Sequence, residues 1–114
     1  MKGDTMEVFG DGTTRRDYTY VDDIVSGVAS ALSYDRSPYE IINLGNDRTV
    51  PLSELLSLLE SALGRPAIVC RKPEQPGDVP QTWADIGKAR ALLGYNPAVG
   101  FHAGIKRLVE WANR

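Results

Sequence analysis

The sequence has one cysteine, Cys70, so an internal disulfide is excluded. The thiol sits in the apolar run Ala67-Ile68-Val69-Cys70 and reads as a buried, reduced side chain rather than a nucleophile. Histidine is as scarce. His102 stands alone, on the polar side of a first helical turn, with no partner for metal or triad chemistry, and reads as surface. No apolar run approaches the ~20 residues that cross a bilayer, and no signal-peptide pattern is found, so a cytoplasmic protein with no membrane partner is expected. Thirteen Lys and Arg against 15 Asp and Glu give a formal net charge of −2 with the signs mixed. Arg15 and Arg16 are the only adjacent arginines, far short of the basic patch that nucleic acid requires. Neither GxGxxG nor GxxGxxG occurs; Gly10-Asp11-Gly12 is too short and leads into a strand. Repeats, low-complexity tracts and interdomain linkers are absent too, which predicts one domain over residues 1–114.

What is present centres on residues 6–24: an apolar strand over 6–9, an Asp-Gly turn, a second strand, then a helix start. Arg15 and Arg16 beside the turn offer forked donors to an anion, although a solvated hairpin with surface arginines fits the spacing equally well. Residues 1–5 read as a frayed lead-in. From Asp22 to about Tyr34, Ile24, Val25, Val28, Ala29 and Leu32 form one helical stripe, and Asp22 or Asp23 is expected to cap it. Residues 39–44 read as a compact strand. Pro51 opens a helix whose leucines at 52, 55, 56, 59 and 63 make a core stripe, ended by Gly64 and Pro66. Residues 67–71 are the next strand, and 72–82 a Pro/Gly-rich loop of the kind that carries function. Asp85 caps a short helix with Ile86, Ala89, Leu92 and Leu93 inward, closed by Gly94. The last helix places Phe101, Ile105, Leu108 and Ala112 on one face. The expected fold class is α+β: about four helices and three or four short strands.

Three segments in order resemble one family. Val8-Phe9-Gly10-Asp11-Gly12 followed by Arg16-Asp17-Tyr18-Thr19-Tyr20-Val21-Asp22-Asp23-Ile24, then Tyr39-Glu40-Ile41-Ile42-Asn43-Leu44-Gly45-Asn46, then Gln75-Pro76-Gly77-Asp78-Val79-Pro80-Gln81-Thr82-Trp83-Ala84-Asp85, are similar to the C-terminal part of extended short-chain dehydrogenase/reductases. These are NAD-dependent nucleotide-sugar epimerases and dehydratases, and the likeness is strongest to UDP-glucuronate 4-epimerases. The resemblance implies a substrate-binding region for a UDP-sugar or UDP. In that pattern Arg16 is the diphosphate arginine, Asp78 accepts from ribose hydroxyls, and Phe9 walls the uracil ring. Gln75 stands where many members carry a second phosphate arginine, and Thr82 where galactose epimerases carry a bulky Tyr. From the residues alone, Arg16 pairing with Asp17 or Asp22, and Asp78 capping a Gly-Asp turn, stay open.

The family's catalytic Tyr and the Lys four positions later are missing. The tyrosines at 18, 20, 34, 39 and 95 are followed at that distance by Asp22, Ile24, Pro38, Asn43 and Val99. The expectations are therefore no catalytic residue, no cofactor-binding residue and no metal ligand in this chain. NAD belongs to longer relatives, the chain begins mid-protein relative to the family, and epimerase activity in isolation is not expected. The alternatives are a stand-alone nucleotide-binding protein and a self-associating interaction module. In either, a homodimer or a separate Rossmann-domain partner would cover the face exposed by the missing half.

Overall fold

A computed structural model describes residues 4–114. The expected frayed lead-in falls partly on residues 1–3, outside the described residues; Asp4 and Thr5 are irregular and exposed. Among the described residues the chain forms four helices and five short strands, a mixed α+β arrangement.

The strands make two small sheets. β1 (Met6–Phe9) pairs in parallel with β4 (Val69–Lys72), Met6 opposite Val69 and Phe9 opposite Lys72. β2 (Arg15–Arg16) is the middle strand of the other sheet, antiparallel to β3 (Val50–Pro51) and parallel to β5 (Gln81–Thr82). The turn between β1 and β2 therefore closes no hairpin; it carries the chain from one sheet to the other. Gly10 and Gly12 make the change possible at φ +74° and +92°, a region that side chains resist. Asp11 Oδ1 locks the turn by accepting from Thr13 N–H at 2.9 Å and Thr13 Oγ1 at 2.6 Å. Those bonds hold the Asp11 carboxyl below its usual range.

That turn also starts α2 (Leu52–Leu63). A helix leaves its first N–H groups unpaired. Here Thr14 C=O accepts from Leu52 N–H at 2.9 Å and Gly12 C=O from Ser53 N–H at 3.0 Å. No side chain caps this helix; Pro51 is its N-cap, one position ahead of the first helical residue. Gly64 closes it in the left-handed conformation at φ +65°. Its leucines are only half-buried, and Leu56, Leu59 and Leu63 line an open apolar groove of about 670 Å³ with Pro66 and Ile68.

The core lies at the other end, around Ile86, Ala89 and Tyr95, with Ile42, Leu44, Ala84 and Leu93 packed against it. Burying the Ile86 side chain contributes about 1.5–3 kcal/mol. Ile86 and Ala89 flank and enter α3 (Gly87–Leu93), whose N-cap is Ile86 and not the expected Asp85; Asp85 Oδ1, one position further out, still accepts from Gly87 N–H at 2.9 Å.

Several expectations need correction. In α1 (Val21–Leu32) the inward side is Asp23, Ile24 and Gly27, whereas Val25, Val28 and Leu32 face out. Gly27 decides this: a Cβ there would lie 2.7 Å from Leu44 side-chain carbons, so the helix seats its narrowest point on the core. Neither Asp22 nor Asp23 caps α1, whose N-cap is Tyr20. Asp23 is buried, and its two oxygens accept from Ala98 N–H at 2.9 Å and Val99 N–H at 3.1 Å, anchoring the segment ahead of α4 (Phe101–Ala112). In α4 the buried positions are Ile105 and Val109, with Leu108 and Ala112 exposed. Residues 39–44 are irregular, because no strand among the described residues lies alongside to complete a ladder. Cys70, in β4, is half-buried rather than buried.

Candidate functional site

Strand alternation separates the two adjacent arginines. Arg15 turns to Thr49, donating from Nε to Oγ1 at 2.9 Å and from Nη2 to the backbone carbonyl at 2.7 Å, and so ties β2 to the segment before β3. Arg16 turns the other way. Its Nη1 donates to its neighbour's carbonyl at 2.8 Å, and its Nη2 lies 2.6 Å from Asp78 Oδ1. Neither sequence-based partner, Asp17 or Asp22, holds it. The pair is 31% and 42% exposed, so it contributes only about 0–1 kcal/mol.

Asp78 belongs to a turn whose N–H donates to Gln75 C=O at 3.1 Å, with Gly77 at φ +86°. The β2–β5 register puts Thr82 opposite Arg16. Arg16, Asp78 and Thr82 are thus brought together, and Gln75 sits in the same exposed loop. Phe9 is in the other sheet, half-exposed, paired with Lys72 at the root of that loop rather than beside Arg16. A cleft of about 550 Å³ opens next to Arg16 and Thr82, with Thr19, Asn43 and Trp83 on its walls.

Behind the cleft is a knot the sequence reading passed over. The Asp17 carboxylate accepts from Asn46 N–H at 3.0 Å, Asp47 N–H at 3.1 Å and Ala84 N–H at 3.2 Å, and from Thr19 Oγ1 at 3.2 Å. Gly45 closes over it so tightly that a Cβ would stand 2.5 Å from Ala84 Cβ and 2.7 Å from Asp17 Oδ2. Tyr95 Oη donates to Gly45 C=O at 2.8 Å. Burial, and then the negative charges of Asp23 and Asp17, push the Tyr95 phenol above its ordinary pKa. Asp17 and Gly45 both lie in segments that carry the resemblance, but nothing local distinguishes a carboxylate that binds ligand from one that holds backbone. His102 is exposed and stands edge-on to Phe101, with ring centroids 6.3 Å apart.

The family model of GDP-mannose 4,6 dehydratase matches residues 1–108. The chain belongs to that family. It corresponds to a C-terminal region of the epimerase/dehydratase fold, which the family resemblance had implied. Among its relatives, the UDP-glucuronate 4-epimerase of Thermodesulfobacterium geofontis is 39% identical over 108 residues, 94% of this chain and 33% of that protein. MoeE5, solved with UDP-glucuronic acid and NAD, superposes with a TM-score of 0.93 at 29% identity, over 98% of this chain and 38% of its own. The Bacillus cereus UDP-glucuronic acid 4-epimerase, solved with the same two ligands, gives a TM-score of 0.86 at 34% identity, over 97% and 36%. This family member therefore spans about a third of the length of the curated relatives it matches. No helix among the described residues is long and apolar enough to cross a membrane.

Proposed function

We propose that this chain supplies one wall of a UDP-sugar site in a nucleotide-sugar epimerase or dehydratase, and that alone it performs no chemistry. The observation that carries this is the meeting of Arg16 and Asp78, 62 residues apart in sequence, beside Thr82 and an open cleft. A guanidinium suits the diphosphate, a carboxylate suits the ribose hydroxyls, and Phe9 and Gln75 complete the wall on the loop side. On binding, the diphosphate takes over the Arg16 donor now held by Asp78, and Asp78 is freed for the ribose. Thr82 leaves room for a large or charged sugar.

In a complete enzyme, NAD would supply a reversible hydride acceptor for the sugar. MoeE5 and the Bacillus cereus epimerase were solved with NAD bound; in this chain no residue is assigned to the cofactor. The residues named here position the nucleotide and exclude solvent. A cytoplasmic setting agrees with the free thiol of Cys70. A second reading, an association module forming a homodimer or meeting a separate Rossmann-domain partner, is favoured by the apolar side chains that α1 exposes.

The test is an amide-resolved NMR titration of the protein with UDP, repeated with Arg16→Ala. Saturable shifts clustered near Phe9, Arg16 and Asp78, abolished by the substitution, are expected. Absence of shifts at millimolar UDP would sink the claim that this wall binds by itself, and UDP-glucuronate turnover by the pure protein would sink the claim that it is inert.

A further inference from the structure

We infer that Trp83 and Asn43 are sugar-binding residues in the cleft beside Arg16, the indole stacking on a face of the pyranose ring and the amide reading a hydroxyl at its rim. This rests on the reading of that cleft as part of a UDP-sugar site, and names the side chains that would hold the sugar itself.

Both residues are fixed at the backbone and free at the side chain. Asp17 grips the chain on either side of Trp83: its N–H donates to Thr82 C=O at 3.2 Å, and its Oδ2 accepts from Ala84 N–H at 3.2 Å. The ring carried between those two bonds is 56% exposed. Tryptophan is enriched where a binding partner covers its ring. Asn43 repeats the pattern. Ile42 and Leu44 on either side of it pack against the core, whereas Asn43 is exposed, and among the described residues no hydrogen bond engages its amide. A fixed backbone that presents an uncommitted side chain has less freedom to lose when a ligand arrives.

The chemistry of the cleft selects its occupant. Arg16, Thr19, Asn43 and Thr82 give it polar walls, and Trp83 supplies the aromatic surface among its described lining residues. A pyranose has the matching exterior. Its C–H groups gather on a ring face, which suits the apolar indole, and its hydroxyls project from the rim, which suits an amide that both donates and accepts. An apolar protein surface would instead strip water from Asn43, Thr82 and the Arg16 guanidinium without replacing it. The nucleobase is placed elsewhere. A UDP-sugar is a base and a sugar joined through the diphosphate; with the diphosphate on Arg16 and the base against Phe9, in the other sheet, the cleft that Phe9 does not line is left for the sugar. Its volume of about 550 Å³ is ordinary for a small-molecule site.

The experiment is an NMR titration of the Trp111→Phe protein, whose remaining indole is Trp83, with UDP-glucose, UDP and methyl α-D-glucopyranoside in parallel. UDP-glucose and the glycoside should both move the Trp83 Nε1–H and the Asn43 side-chain resonances with saturation, and UDP should move them far less. By calorimetry UDP-glucose should bind about tenfold more tightly than UDP. Trp83→Leu and Asn43→Ala should each erase most of that advantage while UDP affinity stays put. Trp83→Tyr, which keeps a ring, should recover part of it, and native dispersion verifies the fold of every variant. Equal affinity for UDP and UDP-glucose with the indole unmoved, equal displacement of the indole by UDP alone, or a matching loss of UDP affinity in the variants overturns the inference. An indole that answers the glycoside in a protein that ignores UDP defeats the nucleotide reading and leaves the sugar contacts standing. UDP binding with an indole that ignores both sugars does the reverse, and no response to any of the three ligands defeats both.

Discussion

Replacing Asp17 with Ala removes the acceptor for three backbone N–H groups, at Asn46, Asp47 and Ala84, and for the Thr19 hydroxyl. Hydrogen bonds to a charged group are worth about 1.5–3 kcal/mol each, and a donor left unpaired in the interior forfeits its hydration as well. Asp47 is exposed, so water replaces the carboxylate there at little cost; Asn46 and Ala84 are half-buried and are rehydrated only in part. The sum is a loss of about 3–5 kcal/mol, a large share of the roughly 5–15 kcal/mol that small proteins possess. At about 4–8 °C per kcal/mol, the melting temperature should fall by more than about 12 °C. Asp17→Asn keeps one oxygen acceptor and loses the charge, so its cost should be intermediate. The assay is urea unfolding followed by circular dichroism and by fluorescence of Trp83 and Trp111, with coincident curves required before free energies are compared. An Asp17→Ala protein within about 1 kcal/mol of the parent would refute the assignment of Asp17 as the knot that holds β2, β5 and the 45–47 turn together.

Gln75→Arg restores a cation to the loop and should tighten UDP binding about three- to tenfold by calorimetry, an effect that shrinks as salt is raised. Asp78→Ala frees Arg16 but removes the ribose acceptor, so pyrophosphate affinity should rise a few-fold while UDP affinity falls; parallel changes for both ligands would contradict the division of roles. Tyr95 has its pKa raised in the folded protein, so its contribution to stability is complete below the ordinary tyrosine value of about 10. Above that pH the unfolded chain ionises first and stability declines as pH climbs toward the folded value, so Tyr95→Phe should flatten the alkaline limb of a stability–pH curve, after the general loss common to both proteins is subtracted.

Some of the candidate site was legible in the linear chain. Arg16, Asp78 and Thr82 stand in motifs whose order survives as text, and the family assignment bears out the likeness that marked them. Their juxtaposition was not legible, because it depends on β2 accepting β5 as a parallel neighbour across 66 positions, Arg15 to Gln81. Asp23 shows the same limit. A carboxylate at a helix start looks like a cap, and only the approach of residues 98–99 turns it into a buried acceptor.

Local chemistry was enough for whatever is decided within a few residues. Glycines end α2 and α3 because φ near +65° is open to them. Asp85 accepts from the first N–H of α3 two residues away, and Asp11 folds the turn over Thr13. Tertiary structure decided which side of an apolar element is buried. Periodicity records that Val25, Val28 and Leu32 are apolar and share a stripe; it does not say what they face. Gly27 against Leu44 turned that stripe outward, and residues 39–44, apolar enough for a strand, stayed unpaired. A ladder needs two partners, and a sequence specifies only the side it contributes.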